Sequence, residues 1–158
     1  MKKKEISMND LLKEENIFFL DCTKKEDVIK ELLELILSKI EKEKTVKEIE
    51  FLYSELIKRE NLMSTGIGEK VAIPHACVEG FDTFLIGIGI LKNYVNWDSF
   101  DSKPVKIVIM VIFGKKARNE YLKIIGKISR VLKVRRNRKE ILKTENKEKI
   151  LNIFLNQM

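Results

Sequence analysis

The residues best equipped for chemistry gather in one stretch, "RENLMSTGIGEKVAIPHACVEG", running from Arg59 to Gly80, and His75 within it is the only histidine among 158 residues. Pro74 fixes its own φ and holds Ile73 in extended conformations, so the backbone carrying the imidazole is stiff. Ala76 and Cys77 are small, which lets a partner's surface approach the ring. A lone histidine is most often a structural or surface residue, but this setting favours a functional one. A hydrolytic triad needs a nucleophile beside the base, and Cys77 lies on the same side of an extended segment as His75. No Gly-rich or aromatic cysteine-protease motif surrounds the pair. One histidine and two cysteines, Cys22 and Cys77, leave a metal's ligand shell incomplete. What remains is nucleophilic chemistry: neutral imidazole has an unprotonated nitrogen near pH 7 and can accept a phosphoryl group covalently.

The elements that must position this stretch are legible on both sides of it. Thr23 with Glu26 has the form of a capping box, followed by Val28, Ile29, Leu32, Leu33, Ile36 and Ile40 on one face of a helix of roughly five turns. Thr45 with Glu48 repeats the box, and a second helix carries Val46, Ile49, Leu52, Tyr53, Leu56 and Ile57 to an end near Arg59. Ahead of both, "SMNDLL" reads as a short capped helix and "NIFFLD" as a short strand. "STGIGEK" has a loop composition. "TFLIGIGIL" and "VKIVIMVIF" are too continuously apolar for surface strands and read as central strands covered on each face. The polar and aromatic connection between them, "KNYVNWDSFDSKP", closes a hairpin or carries part of a site. From Asn119 onward a helix has Leu122, Ile125, Ile128 and Leu132 on one face, and "ENKEKILNIFLNQM" predicts a final docked helix. The expected fold is therefore α/β: a single domain, residues 1–158, with a central mixed β-sheet flanked by helices on both faces.

Composition narrows the classes. At 44% hydrophobic residues the chain can build a core, and two cysteines form no disulfide framework, which suits a reducing, cytoplasmic setting. The start "MKKKEISMND" has no apolar run behind its lysines, and no stretch has the length of a membrane span, so neither a targeting peptide nor membrane insertion is expected. The formal charge of +7 permits an acidic partner. "KKARNEYLKIIGKISRVLKVRRNRK" is dense in Lys and Arg, but its basic residues alternate with core positions as in a solvated helix face, and it contains no nucleic-acid motif. No specific nucleic-acid partner is expected.

The segment "RENLMSTGIGEKVAIPHA" closely resembles the active-site motif of enzyme IIA domains of the fructose and mannitol type, from the bacterial phosphoenolpyruvate:sugar phosphotransferase system. "ISMNDLLKEENIFFLD", the two capped helices, "VNWDSFDSKPVKIVIMVIF" and "YLKIIGKISRVL" are similar to that family's order of elements, so the resemblance covers essentially the whole chain. It implies that His75 takes a phosphoryl group from the phosphocarrier HPr and passes it to a cysteine of an enzyme IIB domain. It also implies that Arg59, which spacing alone would leave as a helix-end cation, spreads positive charge over the phosphoryl oxygens. Ser64 and Thr65 fall in the family's hydroxyl-bearing loop, where they hydrogen-bond the phosphoryl group or cap a turn. One departure stands out: many members have a second histidine where this chain has Tyr121, which can donate a hydrogen bond but has no positive form. No cofactor or metal is implied. The alternative function is that of a regulatory phosphoprotein of the nitrogen-related branch, controlling partner proteins by its phosphorylation state.

Overall fold

Two long strands, β5 (Leu85–Val95) and β6 (Val105–Phe113), form the centre of the sheet as an antiparallel pair. The side chains of β6 divide by alternation. Val108, Met110 and Ile112 enter one apolar cluster, whereas Ile107, Ile109, Val111 and Phe113 enter a second on the opposite face. From Ile107 onward that period of two holds with both faces buried, which is why the strand reads as an unbroken apolar run, while Val105 at its start joins the first cluster.

The computed structural model describes residues 7–40 and 44–156. The lysine-rich start and the last two residues of the expected final helix lie outside them. In chain order the remaining elements are α1 (Met8–Leu11), β1 (Ile17–Leu20), α2 (Lys25–Leu37), α3 (Val46–Leu62), β2 (Gly66–Gly68), β3 (Val71–Ala72), β4 (His75–Cys77), α4 (Arg118–Lys133), α5 (Arg135–Lys143) and α6 (Lys147–Asn156). The strand order is β1-β5-β6-β3-β2, with β4 also paired to β6. Parallel pairs (β1 with β5, β3 and β4 with β6) and antiparallel ones (β5 with β6, β2 with β3) coexist, so the sheet is mixed. α2 and α3 cover one face; α1, α4 and α6 pack on the other, with Ile141 of α5. This is the expected single-domain α/β architecture.

α2 lies close on β5, where a methyl group at Gly87 would collide with Ile36. Its start corrects the sequence reading. Lys24 is the N-cap and no side chain caps the helix, because an ammonium group cannot accept a hydrogen bond and Thr23 falls one residue too early. Glu26 and Asp27 in the first turn complement the helix dipole instead. The helix stops at Leu37, shorter than expected, leaving Ile40 beyond it but still packed against the core. The boxes at Ser7–Asp10 and Thr45–Glu48 both form. α3 continues past Arg59 to Leu62, and Val46 on it is exposed. α4 buries Ile128 and Leu132 as expected, together with Ile124 and Val131, and Ile125 packs against the same cluster, whereas Leu122 is exposed, so the expected core face is wrong at Leu122 alone. The basic late segment is two helices, with Val134 ending α4 and preceding α5.

Candidate functional site

β3 and β4 run in series along one edge of β6. Val71 and Ala72 pair with Ile107 and Val108, and His75, Ala76 and Cys77 pair with Val111, Ile112 and Phe113. Ile73 and Pro74 interrupt the ladder between them, and proline has no N–H with which to continue it. The Ile73 carbonyl is thereby turned to the histidine: His75 Nδ1 lies 2.8 Å from it. A carbonyl only accepts, so Nδ1 carries the proton and Nε2 is the nitrogen with the free lone pair. Burial pulls the imidazole below its ordinary pKa of 6.5; the Ile73 bond and the Glu60 charge oppose this, and the Arg59 guanidinium adds to it. The partly buried ring is neutral at neutral pH.

His75 opens into a cavity of about 490 Å³, whose lining includes Arg59, Leu62, Cys77, Phe113, Arg118 and Tyr121. Arg59 stands in the last turn of α3, and its Nη1 donates to the Met63 carbonyl at 2.7 Å, closing the helix end. The helix-end role that spacing suggests for Arg59 and its place beside His75 are both present. Tyr121, in the first turn of α4, sets its ring 5.4 Å from the imidazole, tilted by 32°, and stacks on Phe113 at 4.1 Å. Burial raises the Tyr121 pKa, against the opposing charge of Arg59.

Ser64 and Thr65 do not line this cavity. Ser64 Oγ donates to the Trp97 carbonyl at 2.6 Å and accepts from the Gly66 N–H. Thr65 Oγ1 donates to Glu60 Oε2 and accepts from Trp97 Nε1, while the Thr65 N–H donates to Glu60 Oε1. Lys25 completes the network with an ion pair to Glu60 at 2.9 Å and a bond to the Trp97 carbonyl. The two hydroxyls thus fasten the loop to α3 and to the β5–β6 connection. Sequence reasoning missed Glu60, Lys25 and Trp97, because their partners lie 5 to 72 residues away in sequence. A charged residue one step from Arg59 on an exposed-looking helix end carried the only hint.

A model of the family described as "Phosphoenolpyruvate-dependent sugar phosphotransferase system, EIIA 2" matches residues 10–157. The chain belongs to this EIIA family. It is 30% identical over 135 residues to the fructose-specific EIIABC component of Bacillus subtilis, covering 85% of this chain and 21% of that protein. The EIIA chain thus spans about a fifth of that relative's length. It is also 28% identical over 103 residues to a nitrogen regulatory protein of Pseudomonas aeruginosa, covering 65% of this chain and 67% of that one. The fold of this EIIA protein is that of nitrogen regulatory protein IIA-Ntr from Neisseria meningitidis (TM-score 0.83, 22% identity, 93% of this chain and 98% of that one). It is also that of IIA mannitol from Escherichia coli (TM-score 0.72, 19% identity, 90% and 98%). Among the described residues, no helix is long and apolar enough to cross a membrane.

Proposed function

We propose that this EIIA protein is a cytoplasmic phosphoryl carrier that accepts a phosphoryl group from phospho-HPr on Nε2 of His75 and delivers it to a cysteine of an enzyme IIB domain. The observation that carries this reading is the bond from Nδ1 to the Ile73 carbonyl, which fixes the tautomer and leaves Nε2 nucleophilic. In the step, the donor's phosphorus–nitrogen bond breaks as the new one forms at Nε2, and the leaving imidazole keeps the electron pair. Nδ1–H stays on Ile73 throughout, so the charge gained by the phosphorylated ring is held by the same carbonyl. Arg59 neutralises the phosphoryl oxygens, and Tyr121 borders the ring. Ser64 and Thr65 act by positioning the loop.

The rim supports docking of a protein. Leu62 is 80% exposed and Leu122 59%, and both stand at the His75 cavity with Lys58 and Arg118. Apolar side chains of this size beside a reacting atom suit a partner that excludes water on contact. The Escherichia coli structure of a IIA mannitol enzyme in complex with phosphorylated IIB mannitol shares this fold (TM-score 0.72, 17% identity), which is consistent with that use of the surface.

A second reading, regulation of partner proteins by the phosphorylation state of His75, is favoured by the likeness to the Pseudomonas nitrogen regulatory protein over most of that protein's length. Both readings share the first step. Incubation with phosphoenolpyruvate, enzyme I and HPr, followed by intact mass and ¹⁵N-resolved NMR, should show one phosphoryl group on Nε2, absent from His75→Ala. Phosphate on another residue, or on Nδ1, overturns the assignment. Discharge by a fructose-type IIB domain separates the carrier from the regulator.

A further inference from the structure

A second recess, of about 500 Å³, is lined by Lys70, Lys103, Arg135, Arg138 and Lys139 over an apolar floor of Ile107 and Leu142, with Glu69 as its one carboxylate. It is remote from His75. Ile107 and Phe113, which line the two cavities, are six residues apart on β6, roughly 20 Å. The His75 cavity uses the first turn of α4, and the basic recess lies against the helix that follows α4.

Five cations against one carboxylate give this recess a formal charge of +4. The carboxylate is already taken: Glu69 Oε2 pairs with Arg138 Nη2 at 3.1 Å. Asp101 has its pKa lowered by hydrogen bonds from the Glu69 and Lys103 backbone N–H groups and, to a lesser extent, by the Lys103 charge, and those N–H groups occupy its oxygens. The side chain of Arg138 and the backbone of Lys70 are held in place. Arg138 donates to the Leu132 and Lys133 carbonyls, 2.7 and 3.0 Å away, and its side chain is only 13% exposed. Lys70 has φ 67°, and its carbonyl accepts from the Lys106 and Ile107 N–H groups. Lys70 and Lys106 both set their ammonium groups over the Tyr94 ring, gathering positive charge at the same edge. The first turn of α5 contains no acid, so its dipole adds to the field.

Cations brought together in this way repel one another unless an anion joins them. A single phosphate, at about −2, leaves about half of a charge of +4 unmatched. A recess of this volume is in the range of small-ligand sites. Duplex nucleic acid presents its charge along an extended line, whereas these side chains converge on one concavity. We propose that the recess binds a small anion carrying several linked phosphates, whether inorganic polyphosphate or the phosphate arm of a nucleotide.

The test is calorimetric titration of the full chain with inorganic tripolyphosphate and, in parallel, with adenosine triphosphate, at about 0.15 M salt to screen diffuse attraction. His75→Ala serves as the background, so that binding at the phosphotransfer site does not contribute. Saturable one-to-one binding is expected, with amide NMR shifts at Lys70, Arg138 and Lys139. The double variant R135E/K139E, changed at two exposed positions, should weaken it by about tenfold or more. K30E/K47E, on exposed positions of α2 and α3, should leave it unchanged. A preference for adenosine triphosphate assigns the ligand to nucleotides; equal affinity assigns it to the phosphate chain alone. Absence of saturable binding, equal loss in both double variants, or binding only to a duplex DNA control overturns the proposal. Phosphorylation of His75 proceeds in R135E/K139E either way, so the two claims fail separately.

Discussion

Tyr121 stands with its ring 5.4 Å from that of His75 and stacked at 4.1 Å on Phe113, which in turn pairs with Cys77 across β4 and β6. The phenol is thus fixed beside the imidazole by the sheet itself. Because burial raises its pKa, it stays neutral over the whole working range of the histidine. It can donate a hydrogen bond to a phosphoryl oxygen, and it brings no charge. Tyr121→His should therefore raise the rate of transfer from phospho-HPr by up to about tenfold, worth ~1.4 kcal/mol, with the gain growing as pH falls. Quench-flow rates between pH 5.5 and 8 measure this, and a flat ratio to wild type would reduce Tyr121 to packing.

Arg59 is held by its bond to Met63 and acts electrostatically on both rings. Arg59→Ala is expected to slow phosphoryl transfer by roughly 10²-fold, in line with loss of one preorganised charge donor, and Arg59→Lys to recover part of it. The same variant should raise the His75 pKa, since the guanidinium contributes to lowering it. Imidazole ¹H–¹⁵N titration reads that shift independently of the kinetics. Unchanged rates together with an unchanged titration would leave Arg59 with its helix-end role alone.

The lowered His75 pKa sets the direction of two pH effects. Acceptance of the phosphoryl group needs the neutral ring, so the rate should hold near its plateau down to pH 6.5 and fall only below that. Stability follows the same sign. The unfolded chain takes up the proton first, so the contribution of a neutral, buried His75 is complete above pH 6.5 and is lost as pH falls from there through the folded pKa. Urea unfolding of wild type and His75→Gln at pH 7.5 and 5 isolates this contribution as the difference between their pH slopes. An NMR midpoint at or above 6.5 contradicts the assignment.

What the sequence revealed of this site was whatever local chemistry encodes. Pro74 before His75 and the Thr45–Glu48 box act within a few residues, and both are found where the chain implies them. "STGIGEK", which reads as a loop, instead contains strand β2, and its hydroxyls are anchored by Trp97, 32 and 33 residues away. The unbroken apolar runs announced β5 and β6 because burial on both faces removes alternation. The misplacement of Leu122 came from a helix whose exposed apolar residue serves the rim of the His75 cavity, which periodicity cannot distinguish from core. Thr23 shows the opposite limit: the box pattern is present, yet an extended Lys24 sits between it and the helix. The recess over Ile107 draws on the turn between β2 and β3, the β5–β6 connection and α5. Only the tertiary fold joins those segments.

Glu60, Thr65 and Trp97 carry the last prediction. All three are buried, and one threonine hydroxyl serves both partners, donating to the carboxylate and accepting from the indole. Thr65→Val keeps the shape and removes the hydroxyl, leaving a buried carboxylate oxygen and a buried indole N–H each short of a bond. At about 1–3 kcal/mol for an unsatisfied buried group, a loss of roughly 2–4 kcal/mol is expected. Thr65→Ser keeps the hydroxyl and should lose less than half of that. Because the loop leads directly through β2 and β3 to His75, the valine variant should also lower the transfer rate at temperatures where it remains folded. Guanidinium unfolding gives the first quantity and the phosphorylation assay the second. A stable Thr65→Val protein with full transfer activity would mean that Lys25 and the Thr65 backbone N–H suffice to hold Glu60, and that the hydroxyl does not position the loop.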